Sequence, residues 1–362
     1  MVKRYLLSWI LAFDFLGGDR LKRWLWVWRK RVPAKRQVRI QGRGREFAAD
    51  FYFDPSRSKS ATILLTHGVI ESGKEDPRLV HFAECLVHSG FAVLIPELAQ
   101  MKTLTLVMEE SQDIVAAFRF MLDLDGVDRE RVGLMGFSFG GGPTLGAAAD
   151  PTIREQVKFV IVFGGYFDPV NVIRYVTTGY DSYRGYAHTQ KPGRYGKEVF
   201  VRNIVRYAAD ANDRIVLERV FGDPLGQEPN EFSVDELTPG GRALYDLMAN
   251  KDRDAVERLV EGTDEPVRAY LTSLSLRDKV QDLKAQVLIG HGDTDGLMPS
   301  TESLRLADAL PSKSLGYVAV LKIIGHVDPV KSRITTWALW SVYLPALRRF
   351  QGLIWCILRQ QC

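Results

Sequence analysis

Long hydrophobic runs are missing from this sequence of 362 residues. A membrane-spanning helix needs about 18 to 20 consecutive apolar residues, and the longest candidates, residues 5–16 and 334–347, are shorter than that. Lys3 and Arg4 precede the first of them, as in a secretory signal, but Asp14 interrupts it and no small-residue cleavage site follows. We therefore expect a cytoplasmic protein without a transmembrane segment.

Cysteine is also scarce, and its positions exclude the sites that cysteine usually builds. Cys85, Cys356 and Cys362 show no CxxC spacing and cannot all pair with one another. This argues against a disulfide framework and a structural zinc site, and it favours a reducing compartment. The sequence contains no internal repeats and no low-complexity tracts, which excludes solenoids and disordered chains.

The net charge is small, at +4, and this excludes an electrostatically driven nucleic-acid binder. The charge is unevenly distributed, however. The first 45 residues carry thirteen Lys and Arg against two Asp, and the rest of the chain is net negative. We treat residues 1–45 as a separate basic, Trp-rich helical segment.

Short apolar runs alternate with helical patterns over residues 46–165. Runs of this kind are typical of strands buried on both faces, and their alternation with helices predicts a mostly parallel central sheet flanked by helices. The predicted strands are Glu46–Phe53, Ala61–Thr66, Phe91–Ile95, Arg131–Met135 and Val157–Phe163, followed after a gap by Gln286–Gly290 and Tyr317–Ile324.

The alternation stops over residues 166–284, where helical patterns follow one another without a convincing strand. A segment that leaves a sheet and later returns to it is an inserted subdomain, so we expect a helical cap here. The predicted α/β core therefore consists of residues 46–165 and 285–362, the second part ending in a Trp-containing helix.

A serine occupies the centre of a G-x-S-x-G pattern, Gly136-Phe137-Ser138-Phe139-Gly140, between a predicted strand and a small-residue helix. The pattern alone is weak, but this setting makes it specific. A tight strand-to-helix turn needs neighbours without side chains, and it directs the hydroxyl and the helix N-terminus toward the same point. We identify Ser138 as the candidate nucleophile.

A serine nucleophile needs an imidazole base and a carboxylate that orients it. His326 follows the last predicted strand, at the sheet edge where ligands bind in open α/β sheets. For the acid, Asp293 and Asp295 both follow strand Gln286–Gly290. We prefer Asp295, which lies farther from the strand end and leaves Asp293 to cap the turn through backbone hydrogen bonds.

The chain order Ser138, Asp295, His326 is that of the nucleophile-elbow arrangement. Together with Thr66-His67-Gly68, Pro96-Glu97-Leu98, His291-Gly292-Asp293-Thr294-Asp295 and Gly325-His326, it makes the sequence resemble the α/β-hydrolase superfamily, in motif style its dienelactone-hydrolase-like and esterase branches. The resemblance spans residues 61 to about 345, with the insertion unmatched.

That resemblance implies an α/β-hydrolase fold and an oxyanion hole formed by the backbone N–H groups of Val69 and Phe139. It leaves His67 a structural role. A tetrahedral oxyanion requires two preorganised donors in any case. The chemistry requires no metal and no organic cofactor.

The insertion holds nine of the thirteen tyrosines. We expect it to wall a substrate pocket, with Tyr166, Tyr175 and Tyr180 near its root as candidate lining residues.

All seven tryptophans lie near the chain ends. Tryptophan beside basic residues is typical of a helix lying at an anionic lipid surface, which would place the protein at the inner face of a membrane. The alternative is that the first and last helices pack together on the body of the protein, or across a homodimer.

The sequence thus predicts a serine hydrolase that cleaves a carboxylic ester or a related small acyl compound through an acyl-enzyme. Two alternatives remain open. The same triad could transfer the acyl group to another acceptor, or the chain could be a catalytically silent, membrane-associated protein with a hydrolase fold.

Overall fold

The structure is a computed structural model, and it describes residues 2–16, 33–221, 234–326 and 339–362. Eight strands form the main sheet in the order β1-β2-β4-β3-β5-β6-β9-β10, and two more form a separate ribbon. The strands are β1 (Ala34–Gln41), β2 (Glu46–Phe53), β3 (Ser60–Thr66), β4 (Phe91–Pro96), β5 (Val127–Phe137), β6 (Phe159–Phe163), β7 (Tyr180–Tyr183), β8 (Tyr186–Thr189), β9 (Gln286–Gly292) and β10 (Leu315–Leu321).

Thirteen α-helices accompany these strands in the described residues. They are α1 (Val2–Leu16), α2 (Pro77–Ser89), α3 (Ala99–Lys102), α4 (Glu110–Leu122), α5 (Gly141–Ala149), α6 (Pro169–Thr178), α7 (Arg194–Val205), α8 (Ala211–Phe221), α9 (Pro239–Ala249), α10 (Val256–Glu261), α11 (Glu265–Leu274), α12 (Thr301–Ala309) and α13 (Leu344–Arg359).

The sheet is mostly parallel, as the sequence predicted. Strands β4, β3, β5, β6, β9 and β10 run parallel to one another, and β1 and β2 are antiparallel to their neighbours. Every residue of β3 and β4 is buried, which is why these strands read as continuous apolar runs. The carboxyl ends of the parallel strands therefore meet at one edge.

Helices cover both faces of the sheet. Helices α4 and α5 pack on one face, where Leu64 and Leu134 point, whereas α1, α2 and α13 pack on the other, where Ile63 and Met135 point. Neighbouring strand residues thus enter opposite cores, as the period of two requires. The helical insertion packs against the first of these cores.

Strand β1 was not expected from the sequence, which placed residues 1–45 in a helical segment. Only Ile40 of this edge strand is buried, and Val38 is half-buried. Its basic residues are exposed and lie on both faces: Lys35 and Arg39 on one, and Arg36 on the face of Val38 and Ile40, over the rings of Phe51 and Phe53. The strand is therefore as basic as the residues that precede it, although it pairs with β2 and forms the edge of the sheet.

The segment 166–284 contains helices α6 to α11 and also the β7–β8 ribbon, which we did not predict. Arg184 and Gly185 both take positive φ values, +49° and +79°, as a two-residue hairpin turn requires. The two strands are only four residues long, and the first turn residue is an arginine and not a typical turn former, so the sequence gives little indication of a hairpin.

The two ends of the chain meet on one side of the molecule. Helix α1 packs on α13: the Gln351 amide donates to Ser8 Oγ at 2.8 Å, and the Tyr5 ring meets Trp355 edge to face. Within the described ranges, no helix has both the length and the apolar character needed to cross a membrane. Trp24, Trp26, Trp28 and Trp337 lie outside the described residues.

Candidate active site

Ser138 lies on a sharp turn between β5 and α5. Its φ of +54° is in the left-handed region, which is strained for a residue with a side chain. The turn is tight: a Cβ on Gly140 would lie 2.2 Å from the carbonyl oxygen of His67, and one on Gly136 2.6 Å from Thr144 Oγ1. Only glycine fits at these two positions, as the motif predicted.

The structure brings the three predicted triad residues together from distant parts of the chain. His326 Nε2 lies 2.7 Å from Ser138 Oγ, and its Nδ1 lies 2.7 Å from Asp295 Oδ2. Because the carboxylate can only accept, Nδ1 carries the proton and Nε2 is the acceptor for the serine hydroxyl. The arrangement is that of a nucleophile, a base and an orienting acid, and the roles themselves stay a prediction.

The turn after β9 is capped by a different aspartate from the one we expected. We expected Asp293 to cap it, but the Asp293 carboxylate accepts from the Tyr186 hydroxyl instead. Asp295 Oδ1 accepts from the N–H groups of Leu297 and Met298, at 2.7 and 2.9 Å. One carboxylate thus caps the turn and contacts His326, because its two oxygens point in different directions.

Asp295 is buried, and its surroundings favour the charged form. Burial acts against the charge, but His326 and His291 overcome it and hold the pKa of Asp295 well below its ordinary value. His291 Nε2 lies 3.3 Å from Asp295 Oδ2, while its Nδ1 lies 2.7 Å from Ser303 Oγ. The acid therefore stays ionised at neutral pH.

The predicted oxyanion loop lies against the nucleophile. A Cβ on Gly68 would be 3.2 Å from Ser138 Cβ, so Val69 follows directly at the site. Phe139 is the second residue of a 3-10 turn, and the first N–H groups of a helix have no partner within it. His67 is buried and engaged with the backbone: Nδ1 lies 2.7 Å from the Gly68 carbonyl oxygen, and Nε2 accepts from Leu98 N–H.

A cavity of about 380 Å³ opens at Ser138 and His326. Its wall is mainly apolar, and the charged residues Asp76 and Arg78 also line it, paired with each other at 3.0 Å. The apolar and aromatic lining residues are Val69, Ile70, Leu79, Phe82, Phe137, Tyr195 and Leu297.

The three predicted lining tyrosines do not line this cavity. Tyr166 is buried under α11, where its hydroxyl donates to the Leu274 carbonyl at 2.9 Å. Tyr175 is also buried, and Tyr180 lies beneath Arg253. Tyr195 is the tyrosine of the insertion at the cavity, because α7 rather than the root of the insertion comes over Ser138.

The sequence pattern assigned no role to three residues that the structure places near the site: Tyr195, His188 and His291. The Tyr195 hydroxyl donates to the Val69 carbonyl at 2.9 Å, which ties the insertion to the oxyanion loop. His188 lies in the unpredicted ribbon, so nothing in the sequence placed it here. His291 immediately precedes Gly292 in the acid motif, and that proximity was the one available signal. In the described part of the chain, no cluster of His, Cys, Asp and Glu fits a metal ion.

Comparisons with known proteins place this geometry in a familiar fold. No protein-family model matches the chain. The chain is 29% identical to the quorum-quenching protein AidA of Acinetobacter baumannii, over 75% of this chain and 82% of that protein.

Two solved structures resemble the chain at 16% identity. The acylaminoacyl peptidase of Pyrococcus horikoshii matches 92% of this chain with a TM-score of 0.52. The chain spans only 43% of that peptidase. The α/β hydrolase GrgF of Penicillium sp. sh18 matches 89% of this chain and 98% of its own length with a TM-score of 0.50. The chain therefore has the α/β-hydrolase fold, as its motifs predicted.

Proposed function

We propose that the protein is a serine hydrolase that cleaves a small carboxylic ester or related acyl compound. The observation that carries this proposal is the hydrogen-bonded chain from Ser138 Oγ through His326 to Asp295, with both distances at 2.7 Å. Ser138 and His326 line a largely apolar cavity, and this is where an acyl group would bind.

In the proposed reaction, Ser138 Oγ attacks the substrate carbonyl carbon while His326 Nε2 takes the hydroxyl proton. Collapse of the tetrahedral intermediate breaks the bond to the leaving alcohol, which receives the proton from His326. A water molecule then attacks the acyl-enzyme with His326 again as base, and releases the carboxylic acid and free Ser138.

The backbone N–H groups of Val69 and Phe139 would hold the oxyanion that forms in each half-reaction. Removing one such donor in other hydrolases costs roughly 3 to 4 kcal/mol of transition-state stabilisation. Neither donor here can be removed by changing a side chain. The Tyr195 bond to the Val69 carbonyl offers indirect control, since it fixes the peptide that follows Val69.

The cavity volume bears on substrate size. At about 380 Å³ it lies near the small end of the range for ligand pockets, so a short or medium acyl chain fits better than a long one. The proposal is tested with p-nitrophenyl esters of two to sixteen acyl carbons. We expect kcat/KM to be highest for short chains and to fall steeply once the acyl group outgrows the cavity.

The control for this experiment is Ser138→Ala, which should lose at least about 10³-fold in kcat. Hydrolysis that survives in Ser138→Ala would refute the proposal. Faster cleavage of amino-acid p-nitroanilides than of every ester would instead make the protein a peptidase.

A further inference from the structure

Two side chains of the insertion converge on the backbone carbonyl of Asp295. The Tyr175 hydroxyl donates to this oxygen at 3.0 Å, and His188 Nε2 lies 2.9 Å from it. Both side chains are buried, and their rings meet edge to face with centroids 5.1 Å apart. The contact therefore joins helix α6 and strand β8 to the turn that carries the proposed acid.

The proton on His188 can be assigned from its partners. The backbone N–H of Ser300 donates to His188 Nδ1 at 3.3 Å, so Nδ1 is an acceptor. Burial lowers the pKa of His188, so the ring is neutral and its one proton is on Nε2. His188 therefore donates to the Asp295 carbonyl, as Tyr175 does.

A third bond from the insertion holds the next peptide. The N–H of Gly193 donates to the Gly296 carbonyl at 2.5 Å. Within the turn, Asp295 Oδ1 is bound to the N–H groups of Leu297 and Met298. The carboxylate and the turn therefore move as one unit, and the donors from the insertion hold that unit in place against His326.

We infer that Tyr175 and His188 are positioning residues, which hold the Asp295 turn so that its carboxylate stays aligned with His326 Nδ1. The inference rests on the proposed function for its catalytic consequence, but not for its structural content. It assigns the insertion a part in the geometry of the triad in addition to covering the cavity.

Tyr175→Phe tests the first donor, with Tyr270→Phe as its matched control. Tyr270 is also a buried tyrosine of the insertion, and its hydroxyl donates to a backbone carbonyl, that of Leu106, at 2.9 Å. The loss of one hydrogen bond that aligns the catalytic groups corresponds to roughly a 3- to 10-fold decrease in rate. We expect that fall in kcat for Tyr175→Phe, with KM changed less than about twofold, and a kcat close to wild type for Tyr270→Phe.

Two substitutions of His188 separate its two nitrogens. In His188→Asn the side-chain oxygen can replace Nδ1 and accept from Ser300, but the donor to Asp295 is lost. In His188→Gln the amide reaches the Nε2 position and can still donate. We expect kcat to fall in the asparagine variant and to be largely restored in the glutamine variant.

A second readout does not depend on hydrolysis. Proton NMR of protein labelled with ¹⁵N-histidine follows the Nδ1 proton that His326 shares with Asp295. Its exchange with water should be faster in Tyr175→Phe and in His188→Asn, and unchanged in Tyr270→Phe. The inference is overturned if exchange is the same in all variants, even where kcat falls, because the loss would then arise elsewhere.

The two proposals fail in distinguishable ways. A wild-type protein that hydrolyses no ester, but whose His326 proton responds to Tyr175→Phe, would refute the proposed function and support the positioning role. Ester hydrolysis that requires Ser138 but is insensitive to both positioning variants would do the reverse.

Discussion

At the scale of single residues, the site depends on which carboxylate faces His326. Asp293 and Asp295 lie on the same turn, yet only Asp295 contacts the imidazole. Asp293 is paired with Tyr186 on the other side of the turn. The two aspartates thus form a natural pair of test and control.

Asp295→Asn should abolish most activity, whereas Asp293→Asn should not. The asparagine oxygen would keep the N–H groups of Leu297 and Met298, so its N–H₂ would face His326 Nδ1 and favour the wrong tautomer. We expect kcat to fall by roughly 10³- to 10⁴-fold for Asp295→Asn and by less than about threefold for Asp293→Asn. Steady-state kinetics on a short p-nitrophenyl ester measure both. Equal losses would show that the triad has been assigned to the wrong acid.

The sequence predicted Ser138, Asp295 and His326 because each follows the carboxyl end of a strand with a strong apolar pattern. Parallel strands bring such ends to one edge whatever the rest of the chain does. The lining tyrosines could not be predicted in this way. Whether Tyr175 or Tyr195 reaches the cavity depends on how α6 and α7 pack on the core, and no local pattern records that packing.

At the scale of secondary-structure elements, one carboxylate connects helix α12 to the start of the insertion. Glu302 Oε2 accepts from the N–H groups of Phe167 and Asp168 at 2.9 and 2.7 Å. Its Oε1 accepts from Asn171 and from Arg305, at 2.9 and 3.0 Å. Burial raises the pKa of Glu302 to about 7, although Arg305 and the two backbone donors favour the charged form.

This raised pKa predicts a pH-dependent stability that Glu302→Gln removes. Between its ordinary pKa of 4.5 and its folded pKa of about 7, Glu302 binds more protons in the folded than in the unfolded state. The free energy of unfolding of wild type should therefore decrease, relative to that of Glu302→Gln, as the pH rises through this window, by up to about 3 kcal/mol. Urea denaturation of both proteins at several pH values gives the difference. A constant difference would mean that Glu302 stays charged throughout beside Arg305.

The strands with a continuous apolar run were predicted correctly, whereas β1, β7 and β8 were not predicted. Strands β3 and β4 are buried on both faces and were evident in the sequence. Strand β1 has a single buried residue and exposed basic residues on both faces, so its sequence could not be distinguished from that of the basic segment before it. The β7–β8 ribbon is stabilised by contacts such as that of His188 with Ser300, which join residues 112 positions apart.

At the scale of the whole molecule, the chain termini form a layer on one face of the sheet. Leu11 and Ala12 of α1 are buried, whereas Leu6 on the same helix is 58% exposed. Tyr5, Ile10 and Trp340 are also exposed. Helix α1 thus has one face that belongs to the core and another that faces outward.

Leu11→Ala and Leu6→Ala test whether α1 packs on α13 in solution. If it does, Leu11→Ala lowers the free energy of unfolding by about 2 kcal/mol or more, because it removes buried apolar surface. Leu6→Ala should change it by less than about 0.5 kcal/mol. Chemical denaturation measures both values. A neutral Leu11→Ala would show that the helix is detached from the body.

Lipid binding by the basic, Trp-rich N-terminal segment remains a proposal. The structure shows which N-terminal residues a test of lipid binding should leave unchanged. Deleting the N-terminal residues would also remove α1, which packs on α13, so the test should change charge and keep the helix. We expect the wild-type chain to co-sediment with vesicles rich in phosphatidylserine, and to do so less at high salt, but not a variant in which Arg20, Lys22, Arg23, Arg29, Lys30 and Arg31 are replaced by glutamine. Equal sedimentation of the two proteins would remove the N-terminal segment as a lipid-binding segment.

Reaction with a fluorophosphonate tests the central claim most directly, because only a serine activated by a base reacts readily with this reagent. Peptide mass spectrometry of the labelled protein should find one adduct per chain, on Ser138, with no adduct in Ser138→Ala and a much slower reaction in His326→Ala. A folded wild-type protein that stays unlabelled, or one labelled at a different residue, would contradict the account.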